Sequence, residues 1–219
     1  TDGFSGADLK GLIDACVERG ITVSAAHTAA TYDDMLAAVA RGLRQTTHTF
    51  NAMTPLGHRE PGVVGAALTL PELSCELIAD NIHVHPAAMN VLVRARGVDH
   101  VILISDAIRG AGMPEGEYQI DTRSVFVRDG AVRLPDGTLA GSILTLDRAL
   151  RNILAATGLP LEEAWPMSSL NAARAIGVSA SKGSLEVGKD ADLVLLDPEL
   201  AVRLTIAEGR VVYAAEGDA

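Results

Sequence analysis

The 219-residue sequence predicts an α/β chain in which short buried strands alternate with amphipathic helices and end in a small β module. Three observations predict this class. Apolar residues switch between helical spacing and short runs containing Val and Ile. Four strand candidates each deliver a His or an Asp at the carboxyl end. The composition, 48% hydrophobic with 3% aromatic, implies one sizeable core packed from Ala, Val, Leu and Ile.

Leu9, Leu12, Ile13, Cys16 and Val17 follow the i, i+3, i+4, i+7, i+8 pattern of a helix with one buried stripe over residues 6–19, and Gly20 is placed to end it. Residues 21–26 form a short apolar run, a buried strand reaching His27. Thr31 offers a helix cap, Asp33 and Asp34 favour a first turn, and Leu36, Val39 and Ala40 carry a stripe to Gly42. Residues 45–47 make a brief strand ending at His48, and residues 76–79 another leading to Asp80, Asn81 and His83. Pro86 suits the first turn of a helix to about Arg96, and residues 101–105 form a strand ending at Asp106. Beyond it, residues 118–127 and the turn signals Asp129-Gly130 and Pro135-Asp136-Gly137 mark short β segments. Helical segments are expected over 145–156, 161–165 and 168–176, then strands over 193–196, 202–206 and 210–213.

In a parallel β/α barrel the active site lies at the carboxyl ends of the strands, where His27, His48, Asp80 and Asp106 fall. Four such strands are half of a TIM-like (β/α)8 barrel. A half barrel leaves edges unpaired, so upstream sequence completing it is expected, as is suggested by a chain that starts at Thr1 almost within a helix. The expected division is a partial barrel catalytic domain over residues 1–180 and a small β-sandwich-type module over 181–219.

A formal charge of −10 argues against nucleic acid or an anionic membrane as the main partner, since both need a positive field. Cys16 and Cys75 are too few for a disulfide framework, and no run approaches the roughly 20 apolar residues of a membrane span, so a reduced, cytoplasmic setting is expected.

His27 and His48, at the ends of neighbouring strands, are candidates to share one metal ion. Asp106 closes an apolar strand, where a carboxylate requires a partner or a helix to cap; its functional alternative is a general base that takes a proton from water and returns it to a leaving nitrogen. Arg59 is one of few cations near these residues, with a guanidinium fork suited to phosphate. His83 and His85 sit two apart, so they could bind a metal together or divide substrate contact and structure between them. Asn171-Ala172-Ala173-Arg174 reads as helix surface, and Gly188-Lys189-Asp190 as a tight turn.

The ordered motifs His-Thr-Ala-Ala-Thr-Tyr-Asp at 27–33, Thr-His-Thr-Phe-Asn-Ala-Met at 47–53, His-Arg-Glu-Pro-Gly at 58–62, Ile-Ala-Asp-Asn-Ile-His-Val-His-Pro at 78–86 and Ser-Asp-Ala at 105–107 resemble the N-acetylglucosamine-6-phosphate deacetylases of the amidohydrolase superfamily. The likeness runs from about Val23 to Tyr213. It implies a metal-dependent hydrolase that releases acetate from N-acetylglucosamine 6-phosphate to give glucosamine 6-phosphate. It further implies that His27 and His48 are metal ligands, that Asp106 is the catalytic acid/base, and that Asn51, Ala52 (through its backbone), Arg59 and His83 hold the sugar phosphate. The implied cofactor is a divalent metal, zinc foremost, with iron, manganese or cobalt as alternatives, and the implied assembly is a homodimer. A Glu metal ligand and a further substrate-contacting His of that family lie upstream of the motifs found here. Asn81 replaces a Gly usual before Ile-His-Val-His, and Ile108-Arg109-Gly110 departs from the small residues common after the catalytic Asp. Competing expectations are another amidohydrolase acting on a cyclic amide or acylated sugar, or a non-catalytic phosphosugar-binding fragment.

Overall fold

The computed structural model describes residues 6–120 and 123–215. Helix α1 (Gly6–Val17) precedes strand β1 (Val23–Ala25), followed by α2 (Tyr32–Ala40), β2 (Leu43–Thr46), α3 (Gly62–Thr69), β3 (Ser74–Ile78), α4 (Pro86–Arg96) and β4 (Val101–Ile104). The four strands lie in chain order in one parallel sheet, and a helix fills each crossover.

Local chemistry fixes the helix starts. Thr31 and Asp34 form a reciprocal capping box at α2: the Thr31 hydroxyl accepts from the Asp34 backbone N–H, and the Asp34 carboxylate accepts from the Thr31 backbone N–H. At α4 Pro86 occupies the first turn, where its missing N–H costs nothing, and Gly97 ends the helix at a φ of 74°.

The pleat then sorts the side chains. In register across the sheet, Cys75 and Leu77 of β3 line up with Val101 and Leu103 of β4, fully or almost fully buried against Ala67, Met89 and Leu92 of the covering helices. Each of these Val, Leu and Met side chains contributes about 1.5–3 kcal/mol through burial. The alternate residues Gln45 and Glu76 take the opposite face, joined by a 2.6 Å hydrogen bond from Gln45 Nε2 to Glu76 Oε1.

After β4 a four-stranded antiparallel sheet is inserted: β5 (Gly116–Ile120), β6 (Arg123–Arg128), β7 (Ala131–Arg133) and β8 (Leu139–Ser142). The β segment expected over 118–127 is thus parts of two antiparallel strands, while residues 121–122 of that expectation lie outside the described residues. Helix α5 (Leu146–Thr157) returns to pack on α4 and β4, ahead of α6 (Leu161–Ala164) and α7 (Leu170–Ala175). The chain finishes in a three-stranded antiparallel sheet of β9 (Leu193–Leu196), β10 (Val202–Ala207) and β11 (Arg210–Ala214). Before it, Lys182 Nζ reaches both Asp190 and Asp192 at 2.8 Å, which closes the turn into β9.

Three elements differ from the sequence expectation. Helix α3 was not expected, because Gly62 to Ala67 are all buried and such a helix shows no polar face for periodicity to detect. The stripe expected to be buried on α1 is only partly so: Leu12 is 57% and Val17 43% exposed. Helix α1 lies beside β1, which is the edge strand of the parallel sheet among the described residues, so no further described strand covers that stripe. Asn171 is not on a helix surface but 2% exposed, donating through Nδ2 to the carbonyls of Val98 and Val101. A long polar side chain there satisfies backbone groups at the entrance to β4.

Candidate active site

Each parallel strand delivers its polar residue at the same step. His27 is the second residue past the end of β1 at Ala25, and His48 stands likewise past Thr46 of β2. Asp80 follows Ile78 of β3, and Asp106 follows Ile104 of β4, by the same spacing. Three of the four adopt left-handed backbone, with φ of 45° at His27, 37° at His48 and 48° at Asp106. Non-glycine residues there cost about 1–2 kcal/mol each and persist where the surroundings enforce them, a condition that clusters at functional sites.

The enforcement is visible. The Thr47 N–H donates to Ala25 O at 2.9 Å and the Thr49 N–H to Glu76 O at 2.7 Å, which lock the turn bearing His48 to the strands on both sides. Asn51 donates from its backbone N–H and from Nδ2 to His48 O at 2.9 and 3.1 Å. The side chain expected to touch substrate thus also braces a proposed ligand's turn. Ala52, next in line, is exposed at a φ of 49°. The loops after β1 and β2 are joined by the Thr54 hydroxyl, which donates to Ala30 O at 2.8 Å.

These constraints bring His27 and His48 together edge to face, with ring centroids 4.8 Å apart. Two imidazoles bonded to one ion at about 2.0–2.1 Å are spaced in this way. His48 is 7% exposed, and its buried Nδ1 has no hydrogen-bond partner among the described residues. An unpartnered buried nitrogen beside a second imidazole fits a pair of metal ligands. Among the described residues no three His, Cys, Asp or Glu side chains group closely enough to hold an ion by themselves. The pair supplies two positions, whereas a catalytic zinc keeps three protein ligands.

Asp106 is exposed rather than buried, so the burial cost anticipated from its apolar strand does not arise. Its charge is felt instead by Glu76. Burial raises the Glu76 carboxyl above the usual range, the His48 backbone N–H opposes the shift, and the negative charge of Asp106 adds to it. Glu76 is a partly buried carboxylate that sequence reasoning passed over, because it sits within a strand rather than at its end.

Arg59 is exposed and forms no ion pair among the described residues. Its neighbour Glu60 secures the loop by accepting the N–H groups of Tyr32 and Gly62 at 2.8 and 3.0 Å. His83 and His85 have separate partners. His83 Nδ1 lies 2.6 Å from Asp80 Oδ2, whereas His85 caps α4 by accepting the Ala87 N–H on Nδ1 at 3.1 Å. The two rings are thus engaged by different groups of the chain.

The sequence profile of the amidohydrolase family matches residues 3–212. The chain is 44% identical over 199 residues to the N-acetylglucosamine-6-phosphate deacetylase of Lysinibacillus sphaericus, covering 91% of this chain and 51% of that protein. It is 43% identical over 194 residues to the N-acetylgalactosamine-6-phosphate deacetylase of Escherichia coli O157:H7, covering 89% and 51%. The crystal structure of N-acetylglucosamine-6-phosphate deacetylase from Thermotoga maritima superimposes with a TM-score of 0.88 at 36% identity, over 94% of this chain and 56% of that one. A mutant of the Mycobacterium smegmatis deacetylase in complex with N-acetyl-D-glucosamine-6-phosphate gives 0.87 at 35% identity, over 93% and 54%. The chain spans about half the length of the curated relatives it matches.

Proposed function

The chain belongs to the amidohydrolase family, and from that premise we propose that it carries the acid/base, two metal ligands and the phosphate contacts of an amino-sugar-phosphate deacetylase. The reaction is hydrolysis of the acetamide of N-acetylglucosamine 6-phosphate to glucosamine 6-phosphate and acetate. The observation that carries the reading is the common placement of His27, His48 and Asp106, each two residues beyond a parallel strand and each in left-handed backbone.

In this reading His27 and His48 hold a divalent ion, zinc foremost, whose remaining protein ligand comes from outside the described residues. When bound, such an ion supplies Lewis acidity toward the amide carbonyl and acidifies water. Asp106 accepts the proton of the attacking water, whose oxygen bonds to the carbonyl carbon. The same carboxyl then protonates the departing nitrogen as the C–N bond breaks, so acetate and the free amine leave without a strongly basic amide anion. The exposure of Asp106 suits a group that must meet both water and substrate. Arg59 pairs with the phosphate, and Asn51, the Ala52 backbone and His83 hold the sugar.

The larger assembly is part of the proposal: a partial (β/α)8 barrel over residues 1–180, completed by the portion of the protein that the relatives possess and this chain does not match, a C-terminal module over 181–219, and a homodimer in the cytoplasm. Among the described residues no helix is long and apolar enough to cross a membrane.

The identity of the Escherichia coli relative favours N-acetylgalactosamine 6-phosphate as a second substrate. Phosphate recognition is tested with Arg59→Ala. Loss of a charge-assisted contact of about 1.5–3 kcal/mol raises KM for the phosphorylated sugar roughly 10–100-fold and leaves the unphosphorylated sugar unaffected. An equal change for both sugars would refute the role of Arg59.

A further inference from the structure

Asp80 occupies the same strand-end step as His27, His48 and Asp106, yet it is turned inward and is 2% exposed where Asp106 is open. Its carboxylate is fully engaged by its own loop. Oδ1 accepts the backbone N–H groups of Ile82 at 2.8 Å and His83 at 2.7 Å. Oδ2 meets the His83 ring nitrogen Nδ1 at 2.6 Å. The turn between them passes through Asn81 at a φ of 67°, and the Asn152 amide holds the preceding peptide by donating to Ala79 O at 2.8 Å. One carboxylate therefore folds the loop and orients the ring it carries.

We propose that Asp80 is a positioning residue: it fixes His83 as the tautomer protonated on Nδ1 and presents Nε2 to the sugar as an unprotonated acceptor. The proposal rests on His83 being a substrate contact. An ionised carboxylate has only acceptors to offer, so a neutral ring beside it must place its proton on Nδ1. The orientation of a histidine by its second nitrogen is a general device for choosing which nitrogen acts. Because β3 lies between β2 and β4, the loop that Asp80 shapes stands between those carrying His48 and Asp106. Burial opposes ionisation of Asp80, but the His83 ring and the two backbone N–H groups outweigh it and hold the carboxyl below its usual range.

Nitrogen-15 spectra of histidine-labelled chain at about pH 8.5, above the ordinary histidine range, read the tautomer directly. The signals of His83 among the six histidines are those lost in His83→Gln. The expected wild-type result is a pyrrole-type Nδ1 and a pyridine-type Nε2. In Asp80→Asn the amide keeps an acceptor for the loop but presents N–H to the ring, so the two signals exchange types. A wild-type His83 protonated on Nε2, or an unchanged tautomer in a folded Asp80→Asn, overturns the proposal; if that variant does not fold, the wild-type spectrum decides alone. Titration with N-acetylglucosamine 6-phosphate tests the underlying reading separately. A shift at His83 Nε2 supports the substrate contact. Its absence, with the tautomer as expected, removes that contact and leaves the positioning of the ring intact.

Discussion

The backbone N–H of Ser142 donates to the carbonyl oxygen of Asp106 at 3.1 Å, and the Ser142 carbonyl accepts the N–H of Ile108 at 3.1 Å. The last strand of the inserted sheet thus pairs with the turn after β4, in a parallel bridge between Ala107 and Ser142. The backbone of Asp106, left-handed and exposed, is held by this pairing. Ser142 is completely buried, and its hydroxyl accepts the Leu144 N–H at 2.7 Å, which anchors the clamp from behind. The inserted sheet is in this account a support for the proposed acid/base.

Gly141→Ala tests the clamp. Gly141 has a φ of 118°, and an added Cβ would stand 2.6 Å from Ile108 Cγ2. Strain and overpacking together cost about 1–3 kcal/mol, a fall in Tm of roughly 2–4 °C per kcal/mol for a chain of this size. Adding Ile108→Ala removes the clash but not the backbone strain, so the double variant recovers part of the loss. A thermally neutral Gly141→Ala would show that β8 is not fixed against the Asp106 turn.

His48→Asn separates ligation from stability. Asn tolerates left-handed backbone and keeps a polar atom at the position of Nδ1 while withdrawing the imidazole. Metal-free Tm is expected to stay level or rise by a few degrees, while zinc affinity, followed by competition with a chromophoric chelator, falls roughly tenfold or more. Unchanged zinc affinity would remove His48 from the metal site.

Glu76→Gln is expected to stabilise the chain near neutral pH. The folded carboxyl titrates above its unfolded value, so the ionised form is disfavoured by folding, and stability is lost as pH rises from the ordinary Glu range through the folded value. Gln carries no charge and escapes that loss. Thermal melts across pH should show the variant ahead by a few degrees at about pH 7, with the gap closing toward pH 4. A gap that widens in acid would reverse the sign and contradict a raised Glu76.

Strands β1, β3 and β4 were legible because each carries a short apolar run that stops at a polar residue, as at His27, Asp80 and Asp106, whereas β2, Leu-Arg-Gln-Thr, was marked only by its place ahead of His48. Helix α3 was not, since Val63, Val64, Ala66 and Ala67 are buried all round and leave no stripe to count. The partial exposure of Leu12 and Val17 was equally invisible: periodicity tells which face of a helix is apolar, not how completely another element covers it. At the site, residue types announced His27 and His48 as a pair, but the separate partners of His83 and His85, Asp80 for one and the Ala87 N–H for the other, could not be read from their spacing. Asp80 and Glu76 were underrated because a carboxylate's role is set by its burial and partners, which appear only in three dimensions.

The most direct measurement is acetate release from N-acetylglucosamine 6-phosphate by zinc-loaded protein, with Asp106→Asn beside the parent. It is made on the chain alone and on the chain joined to the part of the Lysinibacillus sphaericus deacetylase that it does not match. Turnover is expected in the joined protein, with kcat lowered about 10²–10⁴-fold by Asp106→Asn while zinc content and Tm are kept. A joined protein that is folded and zinc-loaded yet releases no acetate, or whose Asp106→Asn variant turns over like the parent, would contradict it.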